Sequence, residues 1–199
     1  MSNLVASTDI PARRRRALRT LILLALVCSA PVLASYLAYY WLRPAARTNY
    51  GELLEPAPTP EIAGWRPDGT PFRLAELRGR WVLLTADAAG CDARCERKLY
   101  ATRQARTIQG RERDRVVRVW LQPSGASPPA LELLAQHPGM AVVRGDPRQW
   151  DAWSGPEAAT QSIYLLDPLG NLVLRYPAEP DIRKLAEDLE RLLRASRIG

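Results

Sequence analysis

A segment of 23 residues from Thr20 to Leu42 carries no charged side chain and is rich in Leu, Ala and Val. A helix of about 20 apolar residues spans the hydrocarbon core of a bilayer. We therefore predict that residues 20–42 form a transmembrane helix and that residues 1–19 form a basic N-terminal segment. The remaining length is enough for one domain of ordinary size with a real core.

The flanks of this segment predict its orientation. Arginines at positions 13–16 and 19 outnumber Arg43 and Arg47 on the other side, and aromatic residues resembling an interfacial belt cluster at the far end: Tyr36, Tyr39, Tyr40 and Trp41. Positive residues stay on the cytoplasmic side of a membrane. The N-terminus should therefore be cytoplasmic and the domain exported.

A cleaved signal peptide is the alternative, because Val32-Leu33-Ala34 matches a small-residue cleavage site. The apolar stretch continues past Ala34 into the aromatic end, which favours an anchor. Cys28 lies in the middle of the segment after Val27, where a lipoprotein signal would place a small residue, so we interpret it as a buried packing residue.

The net charge of +7 does not indicate nucleic-acid binding. From residue 44 onward the chain has 22 basic and 20 acidic residues, so the exported part is close to neutral. Its one basic cluster runs from Arg103 to Arg118 with Glu112 and Asp114 interspersed and few aromatic residues. This pattern is typical of a solvated helix face and predicts no nucleic-acid partner.

Residues 43–61 contain four prolines and no helical or strand periodicity. Such a segment is typical of a semi-rigid tether. We therefore predict a linker over residues 43–61 and a single domain over residues 62–199.

The domain alternates between strand and helix patterns. Pro67-Asp68-Gly69-Thr70 followed by Phe72-Arg73-Leu74 predicts an N-terminal hairpin. An apolar strand from Trp81, an amphipathic helix after Cys95 and a strand over 116–121 then form a βαβ unit. The pattern indicates an α/β domain.

The second half continues this alternation. Ser127 is predicted to cap a helix with Pro128 at its first position, before a short strand at 141–143. A hairpin turned at 167–170 follows, and a final helix capped near Asp181 carries an apolar stripe: Ile182, Leu185, Leu189, Leu192 and Leu193. We interpret this stripe as core packing.

Cys91 and Cys95 follow the strand at Trp81 and are the candidate site residues. Unpaired backbone N–H groups at a helix start favour a thiolate, as Arg94, Arg97 and Lys98 would, whereas Asp92 opposes it. Residues four apart on a helix have α-carbons about 6 Å apart, which permits a disulfide. Two roles are therefore compatible with the spacing: a redox-active pair, and an inert structural disulfide in an oxidising compartment.

The ordered motifs resemble the Sco/SenC family of thioredoxin-fold proteins, which are membrane-anchored copper chaperones and thiol–disulfide factors for cytochrome c oxidase. The resemblance covers about Ile62 to Leu193. Its motifs are Asp68-Gly69-Thr70-Pro71-Phe72-Arg73-Leu74, Leu77-Arg78-Gly79-Arg80-Trp81-Val82-Leu83-Leu84, Cys91-Asp92-Ala93-Arg94-Cys95 and Tyr164-Leu165-Leu166-Asp167-Pro168-Leu169-Gly170.

This resemblance implies a thioredoxin-like α/β fold with an N-terminal β-hairpin, preceded by a single transmembrane helix. It also implies a bacterial inner-membrane protein with a periplasmic domain, whose partners are cytochrome c oxidase subunits or other assembly factors. Cys91 and Cys95 would be the redox pair and the ligands of Cu(I).

The chain departs from the family at the metal site. The family places a histidine shortly before the late strand, where this chain has Ala158-Ala159-Thr160-Gln161-Ser162, and Asp92 replaces the proline after the first cysteine. The only histidine, His137, lies at a helix end, where a surface or helix-end role outweighs a ligand role. Two thiolates suit Cu(I), whereas Cu(II) prefers imidazole nitrogen as well.

Other activities of the same fold fit less well. A thiol peroxidase needs Thr or Ser three residues before its reactive cysteine, where this chain has Ala88. General disulfide oxidoreductases have two residues between their cysteines and a proline before the late strand, where this chain has Gln161-Ser162. Two functions therefore remain: a Sco-like assembly factor, and a non-catalytic membrane-anchored scaffold with a structural disulfide.

Trp150 and Trp153 are the remaining aromatic residues of interest. They suit either an exposed docking edge or packing over the sheet, and large aromatic residues more often close a small domain's core. We expect packing.

Overall fold

The computed structural model describes residues 10–41, 49–87, 90–154 and 159–196. The chain divides into two compact units, with the boundary between Arg47 and Thr48.

The first unit contains a long apolar helix, α1 (Ile10–Trp41). Its Arg14–Ala38 stretch has a mean hydropathy of 2.3 and is long and apolar enough to cross a membrane. Leu21, Leu24 and Val27 are each more than half exposed within the chain, an arrangement that water disfavours and lipid accommodates. This helix and the domain after it fit a membrane-anchored protein.

Two features of α1 add to the sequence prediction. The helix begins at Ile10, so part of the predicted basic segment is also helical. Cys28 is a free cysteine on this helix and is exposed within the chain, like the leucines around it.

The second unit is built on a mixed sheet with eight strands within the described residues: β1 (Glu52–Pro58), β2 (Ala63–Trp65), β3 (Pro71–Arg73), β4 (Trp81–Ala86), β5 (Val116–Pro123), β6 (Met140–Gly145), β7 (Ser162–Leu166) and β8 (Asn171–Pro177). Their order in the sheet is β1-β8-β7-β4-β5-β6-β2-β3. The central strands β4, β5 and β6 are parallel, and β7 runs antiparallel to β4.

The helices of this unit are α2 (Ala93–Ile108), α3 (Leu131–Gln136), α4 (Arg148–Ser154) and α5 (Ile182–Ala195), with 3₁₀ turns at Leu74–Leu77 and Gly110–Arg115. The predicted βαβ unit is therefore confirmed. The prediction of a helix starting at Ser127 is wrong, because α3 begins only at Leu131 with Ala130 before it and no side-chain cap.

Both predicted hairpins are confirmed. β2 pairs antiparallel with β3 around a turn with Gly69 at φ 81°. β7 pairs with β8 around a turn in which Asp167 accepts backbone hydrogen bonds from Leu169 and Asn171. Gly170 follows at φ 89°, a conformation that glycine adopts most easily.

The predicted linker over residues 43–61 is wrong in its second half. Glu52–Pro58 forms an edge strand that pairs antiparallel with β8. Prolines are tolerated there because an edge strand has N–H positions that no neighbour needs. Asp188 on α5 holds the start of the strand by accepting hydrogen bonds from the backbone N–H of Tyr50 at 3.1 Å and of Gly51 at 2.8 Å.

The core lies on both faces of the sheet. One face packs against α2 and α5, and the predicted stripe is core there, with Leu185, Leu189 and Leu193 buried. The other face packs against the N-terminal hairpin, the first 3₁₀ turn and Trp150. Trp150 is only 2% exposed, which confirms packing, whereas the side chain of Trp153 lies outside the described residues.

Candidate functional site

The structure places Cys91 and Cys95 at the start of α2, beyond the C-terminal end of β4. They form a disulfide with α-carbons 5.2 Å apart. Cys91 is half-buried, whereas Cys95 is 1% exposed and packs with Leu99, Trp120 and Val142. Cys91 is therefore the more exposed residue of the pair.

Asp92, between the two cysteines, is the N-cap of α2. Its carboxylate accepts hydrogen bonds from the backbone N–H of Arg94 at 3.0 Å and of Cys95 at 2.9 Å. The Cys95 hydrogen bond is the main reason that the pKa of Asp92 is lowered. Donors at the helix start that would stabilise a thiolate are thus already used by a carboxylate.

A buried ion pair lies directly behind the cysteines. Lys98 is fully buried, and its Nζ is 2.6 Å from Oδ1 of Asp87, the residue after β4. The other carboxylate oxygen of Asp87 accepts a hydrogen bond from Nε1 of Trp120 at 3.0 Å. We call these three residues the Asp87–Lys98–Trp120 network.

This network joins four parts of the domain. Lys98 also donates hydrogen bonds to the carbonyl oxygens of Ala86 at 2.8 Å and Thr160 at 2.6 Å. It therefore connects α2 to the end of β4 and to the approach to β7, while Trp120 connects β5. The segment that carries Cys91 lies between β4 and α2, and these contacts connect those two elements.

Burial raises the pKa of Asp87 and lowers the pKa of Lys98, and the attraction between the two groups opposes both shifts. A paired ammonium and carboxylate have no net charge, so Lys98 does not provide the free positive charge that the sequence suggested for a thiolate. Arg97 is likewise paired, with Glu179 at 2.6 Å on the surface.

Sequence reasoning missed Asp87 and the burial of Lys98. A signal existed, because Cys95, Lys98, Leu99 and Thr102 follow helical spacing and so share one face of α2. A lysine in such a buried stripe requires a carboxylate partner.

The described residues contain no group of three or more His, Cys, Asp and Glu that could hold a metal ion. Two reduced thiols remain the donor set, which fits Cu(I) and does not fit Cu(II). Near the place where the resemblance expects a histidine, the carbonyl of Thr160 accepts a hydrogen bond from the Lys98 ammonium.

His137 follows α3 and has a helix-end position, but it is 5% exposed and thus not a surface residue. Burial, assisted by repulsion from Arg118 and Arg103, lowers the pKa of His137 from 6.5 to about 4. The ring is therefore neutral at pH 7.

This shift predicts a pH dependence of stability. Protonation of His137 favours the unfolded chain, so its contribution is complete above pH 6.5 and is lost as the pH falls towards 4. The unfolding midpoint of the wild type should therefore fall more steeply over this range than that of His137→Gln. Tryptophan fluorescence at each pH measures the midpoint, and parallel profiles would contradict the prediction.

A protein-family model described as "Transmembrane-like, thioredoxin-like, C-terminal domain" matches residues 81–196. No curated protein matches the sequence. Solved structures with similar folds include copper-bound ScoI from Arabidopsis thaliana, with 19% identity and a TM-score of 0.58 over 70% of this chain and 100% of that one.

Two further structures have a TM-score of 0.52. BsSco, described as a Sco-family cytochrome c oxidase assembly protein with a disulfide switch, is 15% identical over 74% of this chain and 97% of its own. A thiol:disulfide interchange protein from Chlorobium tepidum is 18% identical over 71% of this chain and 97% of its own. At these identities the likeness concerns the fold, and the predicted thioredoxin-like α/β fold is confirmed.

Proposed function

This chain belongs to the family of transmembrane-like, thioredoxin-like C-terminal domains, and on that premise we propose that it exchanges disulfides with partner proteins through Cys91 and Cys95. The observation that carries this proposal is the unequal exposure of the pair, with a half-buried Cys91 bonded to a buried Cys95 at the start of a helix. A purely structural disulfide does not require that one of its cysteines be exposed.

The exchange proceeds in two balanced steps. In the reduced chain, the Cys91 thiolate attacks one sulfur of a partner disulfide, forms a mixed disulfide and releases the other partner sulfur as a thiolate. The Cys95 thiolate then attacks Sγ of Cys91, closes the Cys91–Cys95 disulfide and releases the second partner thiolate. Two electrons pass from the chain to the partner, and the reverse sequence oxidises a partner dithiol.

We propose the bacterial inner membrane as the location, with a cytoplasmic N-terminus and a periplasmic domain. The arginines before the apolar segment support this orientation. The proposed partners are cytochrome c oxidase subunits or their assembly factors, and the Sco-like fold supports this choice.

The exposure difference predicts an asymmetric trap in the full chain in a non-ionic detergent, with Cys28→Ser in every variant. We expect reduced Cys95→Ser to accumulate a mixed disulfide with a peptide that carries one disulfide, because no resolving thiol remains. Cys91→Ser should trap about tenfold less, since Cys95 is buried. Mass spectrometry quantifies the adduct. No trapping by either variant would leave only the structural disulfide, and equal trapping would contradict the assignment of Cys91 as the attacking thiol.

We also propose that the same two thiols bind Cu(I). The short distance between the cysteine α-carbons and the copper-bound ScoI with a similar fold support this role. Titration of the reduced chain against a Cu(I) chelator should show binding that is lost in Cys91→Ser/Cys95→Ser. Binding equal to that of the double variant would exclude copper handling.

The alternative is a non-catalytic scaffold, in which the double cysteine variant would still support oxidase assembly and deletion of the anchor would not. Oxidase activity of membranes from complemented cells separates the two functions. Loss of activity in the double variant, with the protein still folded, favours exchange or copper handling.

A further inference from the structure

Arg118 on β5 is a buried cation with no counter-charge in the part of the chain that the structure describes. Its side chain is 2% exposed and lies on the sheet face that α2 covers, like those of Val116 and Trp120. Nη2 donates a hydrogen bond to the carbonyl oxygen of Pro138 at 2.6 Å, whereas Nε and Nη1 have no hydrogen-bond partner. Among the described residues, no carboxylate lies within 4 Å of this guanidinium.

Two further guanidinium groups are close to Arg118. Arg103 donates a hydrogen bond to the carbonyl oxygen of Gln136, and Arg106 donates to that of Val116 at 2.7 Å. We call Arg103, Arg106 and Arg118 the basic cluster. The carboxylate paired with the cluster is Asp114, 3.1 Å from Arg106, and its side chain is 79% exposed.

The pKa values of Arg118 and His137 reflect this excess of positive charge. Burial first, and then repulsion from Arg106 and Arg103, lowers the pKa of Arg118 to about 10. His137 experiences the same repulsion, and its buried Nδ1 also lacks a hydrogen-bond partner.

A buried charge without an opposite charge is strongly unfavourable, and buried N–H groups are nearly always paired. A water molecule could satisfy the free N–H groups of Arg118 but would not neutralise the cluster. An oxyanion does both, because guanidinium groups bind such anions through paired N–H donors.

We propose that a small oxyanion of the sulfate or phosphate type binds between α2 and α3, held by Arg118 and Arg103. A groove of about 520 Å³ between these helices is lined by Arg103, Gln136, His137 and Tyr100, and also by the carboxylates of Glu96 and Glu132. Arg118 is not among the lining residues, so an anion would have to pass from the groove beneath Arg103 to reach the buried N–H groups of Arg118. Anion binding by these arginines uses neither cysteine, so the proposal does not rest on the proposed function.

Sulfate titration of the full chain in a non-ionic detergent tests this site. His137 is the only histidine, so its labelled ring gives one set of NMR signals next to the cluster. At fixed pH and ionic strength, the ring signals of the wild type should shift saturably with sulfate. Arg118→Met should raise the sulfate concentration at half-saturation at least about tenfold, which is the effect of losing one charged hydrogen bond.

Arg111→Met is the matched control, because it removes one exposed arginine from the same region. It should titrate like the wild type. If Arg118→Met does not fold, Arg103→Met carries the test, since Arg103 is only half-buried, and it should also weaken binding. An absent or non-saturating response in the wild type, or equal responses in all variants, would overturn the proposal.

Discussion

Lys98→Met is expected to lower the free energy of unfolding by about 3 to 5 kcal/mol, the usual effect of removing one partner of a buried ion pair. The substitution leaves the Asp87 carboxylate buried with only Trp120 as a hydrogen-bond donor among its described partners. It also removes the donor from the carbonyl oxygens of Ala86 and Thr160. Urea titration of the full chain in detergent, followed by tryptophan fluorescence, measures the loss.

The double variant Asp87→Leu/Lys98→Met separates charge from packing. Removing both charges should recover part of the loss, because no uncompensated ion remains, but the two carbonyl oxygens still lose the Lys98 donor. Arg183→Met is the control, since its ion pair with Glu187 is exposed and is worth less than about 0.5 kcal/mol. A double variant less stable than Lys98→Met would contradict this account.

Asp188→Ala should cost about 3 kcal/mol and loosen β1 in particular. Asp188 is fully buried and accepts hydrogen bonds from the backbone N–H of Tyr50 and Gly51 and from the side chain of Arg191. Its loss leaves buried donors unpaired, at about 1 to 3 kcal/mol for each. Faster hydrogen exchange at Glu52–Pro58 than in the central strands is the expected signature.

Asp188→Asn retains one acceptor oxygen and should cost about half as much. Glu187→Ala, on the exposed side of α5, should leave the exchange of β1 unchanged. If β1 and β4 exchange faster by the same factor in Asp188→Ala, Asp188 supports the whole domain rather than its first strand.

The elements that the sequence predicted are those with local signals. Asp167-Pro168-Leu169-Gly170 specifies its turn within four residues, and the apolar stripe of α5 needs only helical spacing. The strand at Glu52–Pro58 was missed because its pairing partner, β8, lies more than a hundred residues away. Prolines at 56 and 58 also suppress the ordinary strand signal.

The candidate functional site was predicted only in part, because some of its contacts are local in sequence and others are not. The proximity of Cys91 and Cys95 follows from helix geometry, and the structure pairs them. The partner of Lys98, by contrast, depends on how α2 is oriented over β4, which no local pattern specifies. Arg118 was assigned to a solvated face because charge patterns do not reveal which side of a strand a helix covers.

The hydrogen bonds that Asp188 accepts from the backbone of Tyr50 and Gly51 have a mechanical consequence. A force applied to the chain at Tyr50 acts first on these hydrogen bonds, which transfer it to α5 before it reaches the pairing of β1 with β8. Because α5 packs on the core through Leu185 and Leu189, the force is distributed over the helix instead of peeling an edge strand. The hydrogen bonds of Asp188 therefore protect the pairing of β1 with β8 from a force applied at residue 50.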